Sequence, residues 1–597
     1  MKYLLYLNKY LYKYRWRLIP GTLFVIASNY FGILPAQVIR IAFDLVKENI
    51  SLYQLFDGFD RQQEIYQIFG YSLLLFGTAV LVLAILRGLF LFLMRQTIIL
   101  TSRHIEYDLK NEIYAHYQKL DMAFYRKNNT GDLMNRVTED VGRVRGYLGP
   151  AVMYSINTIV LTIMVLVAMI NVNTTLTFYA LLPIPFVAIA ILFVNKIINQ
   201  RSEKIQEQLS SLSSFVQETF SGIRVLKSYN REEKKMNDFL KEGNVYKEAS
   251  ISLVKAQAIF FPLILLLVGL STILTVYIGG QEVIKGTITS GNIAEFIVYV
   301  NQLTFPAMAL AWVNSLIQRA AASQKRINEF LETEPEIHNH KGIVRSLEGH
   351  IIFDSVSFTY PDTGIQALKQ VSFEIKPGET LAILGRTGSG KSTIAALLLR
   401  MYDAQSGRIL IDNQPLSSYN LPKYRDQLGY VPQDVFLFSD TIARNIAFSQ
   451  DHEDFEKIKE AAKQAAVYDN IMRFEKQFET EVGERGLTLS GGQKQRISIA
   501  RALVKNPRIL IFDDSLSAVD TRTEEEILGN LRQIMEFKTC ILISHRVSTV
   551  KNADKIILLE AGEIIEQGSH YELMKQEGSY FRLHEKQKLD DESSEID

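Results

Sequence analysis

Cysteine is almost absent. Cys540 stands alone in 597 residues, so no disulfide can form within the chain. Its setting, Cys540-Ile541-Leu542-Ile543, reads as a buried strand thiol rather than a reactive one. An excess of charge of either sign is absent too. The 65 Lys and Arg balance the 65 Asp and Glu, which gives no electrostatic hint of nucleic-acid binding. Lys2, Lys9, Lys13, Arg15 and Arg17 precede the first apolar run, but no cleavage site follows it, so the start does not read as a secretory signal peptide. The length also excludes a single hydrophobic core, and two or more domains are expected.

A hydrophobic content of 47% is ordinary, but it averages over two different halves. Residues 1–322 hold six long apolar segments, near Leu18–Leu45, Ile68–Ile98, Tyr147–Ile170, Leu176–Ile198, Leu253–Ile278 and Ile293–Ile317. Each is long enough to cross about 30 Å of hydrocarbon as a helix. Ala258–Ile278 is the clearest, at 21 residues without a charge. The sixth is the most polar, with Glu295, Asn301, Gln302 and Asn314 inside it. Five basic residues before the first span put the N-terminus in the cytoplasm, and the loop Glu48–Glu64, with Asp57, Asp60, Arg61 and Glu64, is not basic, as suits an outer loop. Six crossings then return the second half to the cytoplasm. The third and fourth spans are joined by a few residues around Asn171–Thr175. The second and third, and the fourth and fifth, are about fifty residues apart, so helical extensions are expected there rather than structureless loops. Arg40, Arg87 and Glu295 are ionisable groups inside spans and hence functional candidates, with Gln37, Asn157, Asn301 and Gln302 as polar companions. Phe260, Phe261, Phe305 and Met308 either line an apolar pocket or pack the bundle.

Charged Gln324–Glu334 ends before Pro335 and reads as the start of a linker, 323–347. Residues 348–585 alternate strands with helices, which implies an α/β domain with a largely parallel sheet. Lys586–Asp597 is acidic and is expected to be a disordered tail. Within the second half, Gly385-Arg386-Thr387-Gly388-Ser389-Gly390-Lys391-Ser392 fits G-x-x-x-x-G-K-[ST]. Its glycines let backbone N–H groups turn toward phosphates, Lys391 adds a point charge and Ser392 offers a hydroxyl to Mg²⁺. The apolar run Thr380–Leu384 before it reads as a strand. Thr393–Met401 after it reads as a helix whose N-terminus faces the nucleotide. Ile509-Leu510-Ile511-Phe512-Asp513 reads as a buried strand that delivers a carboxylate at its tip.

Leu489-Ser490-Gly491-Gly492-Gln493 is similar to the signature of ATP-binding cassette transporters, and the whole chain resembles an exporter-type half-transporter. That resemblance implies a six-helix membrane domain followed by an ATPase domain that binds ATP and Mg²⁺ and hydrolyses ATP. It assigns the cradle Gly385–Ser392 with Thr393 to the phosphates, Tyr360 to adenine stacking, and Ser392, Gln433 and Asp513 to Mg²⁺. Lys391, Gln433, Asp514 and His545 become the catalytic set. Ser490, Gly491, Gly492 and Gln493 would face the γ-phosphate in a partner's cradle. Phe124–Leu133, broken at Asn129-Thr130-Gly131, and Ser221–Val225 resemble the intracellular turns that couple membrane helices to the cassettes. Thr480–Glu484 and Ser517–Asp520 resemble an exporter-specific loop and the loop at the dimer interface.

One residue departs from the family pattern. Asp514 stands where a fully competent cassette has Glu, and its arm is one methylene shorter. A shift of about 1 Å in a reacting group can cost about 10²-fold in rate. The octet Asp513–Asp520 resembles the degenerate-site half of bacterial heterodimeric multidrug exporters. The expected function is therefore ATP-driven efflux of hydrophobic or amphipathic compounds, drugs or lipids, across the cytoplasmic membrane. A heterodimer with a second half-transporter is favoured over a homodimer. The absence of a peptidase domain before the spans argues against peptide export. The rival reading is an ATP-gated channel or a regulatory subunit with little turnover of its own.

Overall fold

The computed structural model describes residues 2–594 except 56–60, 339–341, 484–485, 487–488, 516–525, 528, 531, 533 and 536. The chain divides into two compact units: Met1–Gln118 with Gly131–Thr333, and Lys119–Thr130 with Glu334–Asp597.

Among the described residues six helices are long and apolar enough to cross a membrane: Arg15–Ser51, Gln62–Tyr117, Thr130–Val172, Thr174–Ser221, Glu232–Ile284 and Ser290–Leu331. They contain the six expected spans. The shortest has 37 residues where about 20 suffice, so the long connections are largely extensions of the span helices, broken by short turns. Their starts are written locally. The Asn173 side chain accepts from Leu176 N at 2.8 Å, and Thr289 forms a capping box with Asn292. Pro20, Pro35, Pro262 and Pro306 lie inside spans, as is tolerated where neighbouring helices satisfy the freed backbone groups. Leu161, Val165, Met169, Leu176, Phe296 and Tyr299 form the main buried cluster. The second span keeps an apolar face outward, with Tyr71 and Leu74 well exposed in the single chain.

Glu295 is only 1% exposed. It accepts from Tyr299 Oη at 2.8 Å and Asn292 Nδ2 at 3.2 Å, and Arg40 Nη1 lies 3.5 Å away. A charge at such a depth needs this full set of partners. Asn157 Oδ1 accepts from Asn29 at 2.9 Å, and Gln302 donates to the Gly32 carbonyl at 2.9 Å. The Arg87 guanidinium lies along Gly32, where a Cβ would come within 3.1 Å of its Nε. The Phe305 ring packs 6.0 Å from Tyr154. The side chains of Phe260 and Phe261 lie outside the described residues.

The second unit is built on two sheets. One is antiparallel, from β1 (Ile351–Thr359), β2 (Gln366–Ile375), β4 (Ser406–Ile411) and β5 (Gln414–Pro415), in the order β2-β1-β4-β5. The other contains β3 (Thr380–Leu384), β6 (Leu428–Val431), β7 (Ile509–Asp513), β8 (Thr539–Ser544), β9 (Lys555–Glu560) and β10 (Glu563–Gly568), in the order β10-β9-β3-β8-β7-β6. It is parallel except at β9–β10. Every residue of β3, β7 and β8 is buried, which is why these strands read as unbroken apolar runs. The antiparallel sheet was not foreseen from the sequence.

The helix after β3 is Lys391–Leu398 rather than Thr393–Met401. Gly390, at φ 101°, turns the chain directly into it, and Arg400, at φ 50°, ends it. The last helix, Ser579–Ser594, runs through the stretch where a disordered tail was expected. The short helices Met122–Lys127 and Ile223–Ser228 fall at the two expected turns.

Two outcomes follow from this packing. Cys540 is fully buried, and burial pushes its thiol pKa up to about 12. At pH 8 it is therefore protonated and inert, and iodoacetamide should label the chain only after denaturation, as mass spectrometry would read. A Cβ on Gly291 would press into the Arg40 carbonyl and come within 2.8 Å of the Asp44 carboxylate. Gly291→Ala should therefore lower stability in detergent by about 1–3 kcal/mol, seen as a lower melting temperature.

Candidate functional site

β3, β8, β7 and β6 are parallel neighbours, with Ile383 opposite Ile543, Ile543 opposite Asp513, and Phe512 opposite Val431. Their C-terminal ends therefore share one edge, the usual place for a ligand on such a sheet. Each strand delivers an expected residue there. The loop Gly385–Gly390 follows β3, Asp513 ends β7 with Asp514 next, His545 follows β8, and Gln433 lies just past β6.

The loop needs its glycines. A Cβ on Gly390 would press into the Ala367 carbonyl, and one on Gly385 would meet Ser389 Oγ at 2.7 Å. Gly388 and Gly390 also hold φ of 82° and 101°, which L side chains rarely adopt. Arg386 and Thr387 complete the turn, in which Ser389 N donates to the Arg386 carbonyl at 3.2 Å. The loop's N–H groups and the N-terminus of helix Lys391–Leu398 form an anion cradle. Lys391 Nζ donates to the Gly385 and Arg386 carbonyls at 2.7 and 2.9 Å, which leaves one of its three protons for a ligand. Burial lowers the Lys391 pKa, opposed by the charges of Asp514 and Asp513.

Asp513 is 3% exposed and accepts from Ser392 Oγ at 2.9 Å. Burial raises its pKa, while the Ser392 bond pulls it down. The Tyr430 hydroxyl also bonds to Asp513, and burial with that carboxylate raises the Tyr430 pKa. A hydroxyl, a carboxylate and the nearby Gln433 amide make an oxygen donor set that suits a hard divalent cation. Among the described residues no cluster of His, Cys, Asp and Glu could cage a metal alone. A cation here would therefore draw its remaining ligands from phosphate and water.

Asp514 is a non-glycine residue at φ 48°. Its Oδ1 lies 2.9 Å from His545 Nδ1, and its Oδ2 accepts from Gln433 Nε2 at 3.3 Å. A carboxylate only accepts, so the proton between His545 and Asp514 is assigned to Nδ1. His545 Nε2 is thereby left to act on a ligand.

The Tyr360 hydroxyl and Thr393 Oγ1 are 3.1 Å apart. The Tyr360 ring packs edge-on against Phe358 and Tyr402, with centroids 5.0 and 5.6 Å away. Sequence reasoning missed the group over its face: the Arg126 guanidinium lies 4.4 Å from the ring centroid and pairs with Asp362 at 3.3 Å. Arg126 comes from the helix Met122–Lys127, whose distance along the chain gave no spacing signal. Tyr430 was missed as well, since it belongs to none of the motifs.

Ser490 caps the helix Gly491–Leu503, accepting from Gln493 N at 3.3 Å while Gln493 Oε1 accepts from Ser490 N at 3.0 Å. Among the described residues no hydrogen bond joins Ser490, Gly491, Gly492 or Gln493 to the cradle. Arg501 on the same helix donates to the Phe436 and Asn445 carbonyls at 2.9 and 2.8 Å, which ties the helix to the loop after Gln433. Ser517–Asp520 and Glu484 lie outside the described residues.

Residues 22–307 match the family described as ABC transporter transmembrane region, and residues 368–517 match the one described as ABC transporter. The multidrug resistance-like ATP-binding protein MdlA of Escherichia coli is 36% identical over 87% of this chain and 88% of its own. An ATP-dependent lipid A-core flippase of Photobacterium profundum is 35% identical over 84% of this chain and 86% of its own. The solved structure of a bacterial Atm1-family ABC exporter with ATP bound superposes with a TM-score of 0.74 at 28% identity, covering 96% of this chain and 98% of that one.

Proposed function

The chain belongs to the ABC transporter family, and we propose that it is one subunit of an exporter of hydrophobic or amphipathic compounds whose own ATP site is slow. Hydrolysis of ATP coupled to export across a membrane is the activity of this family of half-transporters. The specific observation that supports the finer reading is Asp514. Its short carboxylate is engaged on both oxygens, by His545 and by Gln433, and so is held away from the position that a longer Glu arm would reach.

In this reading the amides of Gly385–Gly390 and Lys391 hold the β- and γ-phosphates, Thr393 flanks them, and Tyr360 stacks on adenine. Ser392, Asp513 and Gln433 would hold Mg²⁺, which when bound neutralises charge on the phosphate oxygens. Gln433 and Asp514 orient the attacking water, and His545, as the imidazolium with both ring nitrogens protonated, donates from Nε2 to the γ-phosphate. Catalysis is then mostly positioning and charge stabilisation. Ser490, Gly491, Gly492 and Gln493, with no bond to the chain's own cradle, are available to close the cradle of a second half-transporter. A heterodimer confines the short carboxylate to one of its two sites, and the other runs on the partner's glutamate.

The N-terminus and the cassette lie on the cytoplasmic side, by the basic residues before the first span. The proposed substrate class is supported by relatives named for multidrug resistance and for lipid A-core flipping, and by a second span whose apolar face points outward.

The full chain purified alone should bind ATP, lose that binding in Lys391→Ala, and hydrolyse slowly. Asp514→Glu should raise its turnover, by up to about 10²-fold. Co-expression with a half-transporter that carries Glu at this position should raise turnover without the substitution. Brisk hydrolysis by the chain alone, unchanged in Asp514→Glu, rules the paired reading out. ATP-dependent uptake of a fluorescent amphiphile into inverted vesicles separates a pump from an ATP-gated channel, since a channel accumulates nothing against a gradient.

A further inference from the structure

His545 stands on a short piece of backbone with little support of its own. β8 ends at Ser544, and a helix of one turn, Val547–Val550, begins two residues after His545 with no side-chain cap from its own N-terminus. The support comes from forty residues downstream. Gln587 Nε2 donates to the His545 carbonyl at 2.7 Å, and Gln587 Oε1 accepts from Val547 N at 2.8 Å. Ser544 Oγ takes the intervening Arg546 N–H at 3.0 Å. One side-chain amide thus grips the backbone on both sides of Arg546, as a neighbouring strand would.

The grip is only as firm as the helix that carries it, and that helix is anchored at its start. Glu566 accepts from Ser579 N at 2.5 Å and Tyr580 N at 2.9 Å, which places a carboxylate at a helix N-terminus, where it is favoured. A Cβ on Gly578 would come within 2.9 Å of the Glu566 carboxyl carbon, so a larger residue before the helix would push this carboxylate aside. Tyr580 is fully buried, its hydroxyl 2.6 Å from His570 Nδ1. It shares a cluster with Val547, Val550 and Leu573, against which Leu583 packs. Tyr580, Leu583 and Gln587 lie on one face of the helix. The same cluster that seats the helix therefore also seats the turn after His545.

We propose that Gln587 is a positioning residue for His545, and that the C-terminal helix is a brace on the catalytic edge of the sheet. This rests on the reading of His545 as a γ-phosphate contact. The brace acts through backbone geometry. With both arms in place, the peptide groups flanking Arg546 are fixed, and the His545 ring is held toward Asp514. Without them the turn loses its hold on the His545 carbonyl and the Val547 N–H, and the ring loses its aim.

The test uses the full chain, purified alone, with two variants. Gln587→Met keeps length and bulk but removes both arms; Gln587→Glu keeps the acceptor for Val547 N and removes the donor to His545. Hydrogen exchange without nucleotide is the first readout. Exchange of the Val547 amide should speed up in Gln587→Met and stay slow in Gln587→Glu, with the change confined to the turn. The second is the ratio of affinities for adenylyl imidodiphosphate and ADP in the presence of Mg²⁺, which reports the γ-phosphate contact without turnover. His545→Ala and Gln587→Met should each lower that ratio by about tenfold, as for loss of one charge-assisted hydrogen bond, and combining them should lower it no further. If Gln587→Met keeps the wild-type ratio while His545→Ala loses it, the brace is wrong and the reading of His545 survives. Should His545→Ala keep the ratio, that reading fails and the brace falls with it. Exchange that quickens across β8 and β9 alike, or losses that add in the double variant, would mean that Gln587 merely supports the fold.

Discussion

The cassette depends on one constraint: β3, β8, β7 and β6 run parallel in fixed register, with β3, β7 and β8 buried on both faces. A parallel sheet needs cover on both sides and crossovers between strands. Those crossovers bring residues far apart in the chain to one edge. A one-residue slip of β7 would turn Asp513 away from Ser392 and move Asp514 off His545. The catalytic geometry is thus a consequence of strand register before it is a property of any side chain, and apolar burial is what holds the register.

The membrane half answers a different constraint. Without water, each backbone polar group must be satisfied within its own segment, and long uninterrupted helices are the result. The polar side chains inside the bundle obey the same rule. Glu295 gathers Tyr299, Asn292 and Arg40, and Asn29 finds Asn157. Ion pairing and hydrogen bonding account for these groups without a substrate. The outward apolar face of the second span has no such internal account in a single chain, and lipid or a second subunit is what would cover it.

Much of this was legible in the sequence, for identifiable reasons. Six apolar segments announce six spans because the bilayer sets a length that soluble helices rarely need. The strand Thr380–Leu384 was placed to the residue, since an apolar run stopped by Gly385 has few other readings. The cradle and Asp513 were marked by short motifs, Asp514, Gln433 and His545 by the resemblance, and the structure places them along one edge of the sheet. What stayed hidden depends on contacts between distant residues. Arg126 over Tyr360 and Gln587 on the His545 turn carry no local spacing. The antiparallel sheet of β1, β2, β4 and β5 was missed because its strands alternate less cleanly, with bulges between β1 and its partners. Residues 586–594 were misjudged because charge dominates their composition, while Tyr580 and the Glu566 cap, outside that stretch, start the helix.

The backbone at residue 514 bears on why an aspartate stands there at all. At φ 48° the residue is left-handed, a region that Asp and Asn enter more easily than longer side chains. Asp514 also has its N–H bonded to the Ile543 carbonyl at 2.9 Å, which locks that conformation into the β7–β8 pair. A short side chain in this turn is the comfortable choice, and its carboxylate naturally meets His545 and Gln433. A longer one would carry more strain and gain reach toward the substrate. On the proposed reading of this subunit, slow chemistry and a relaxed turn have one cause, and a subunit that holds nucleotide rather than turning it over loses little by either.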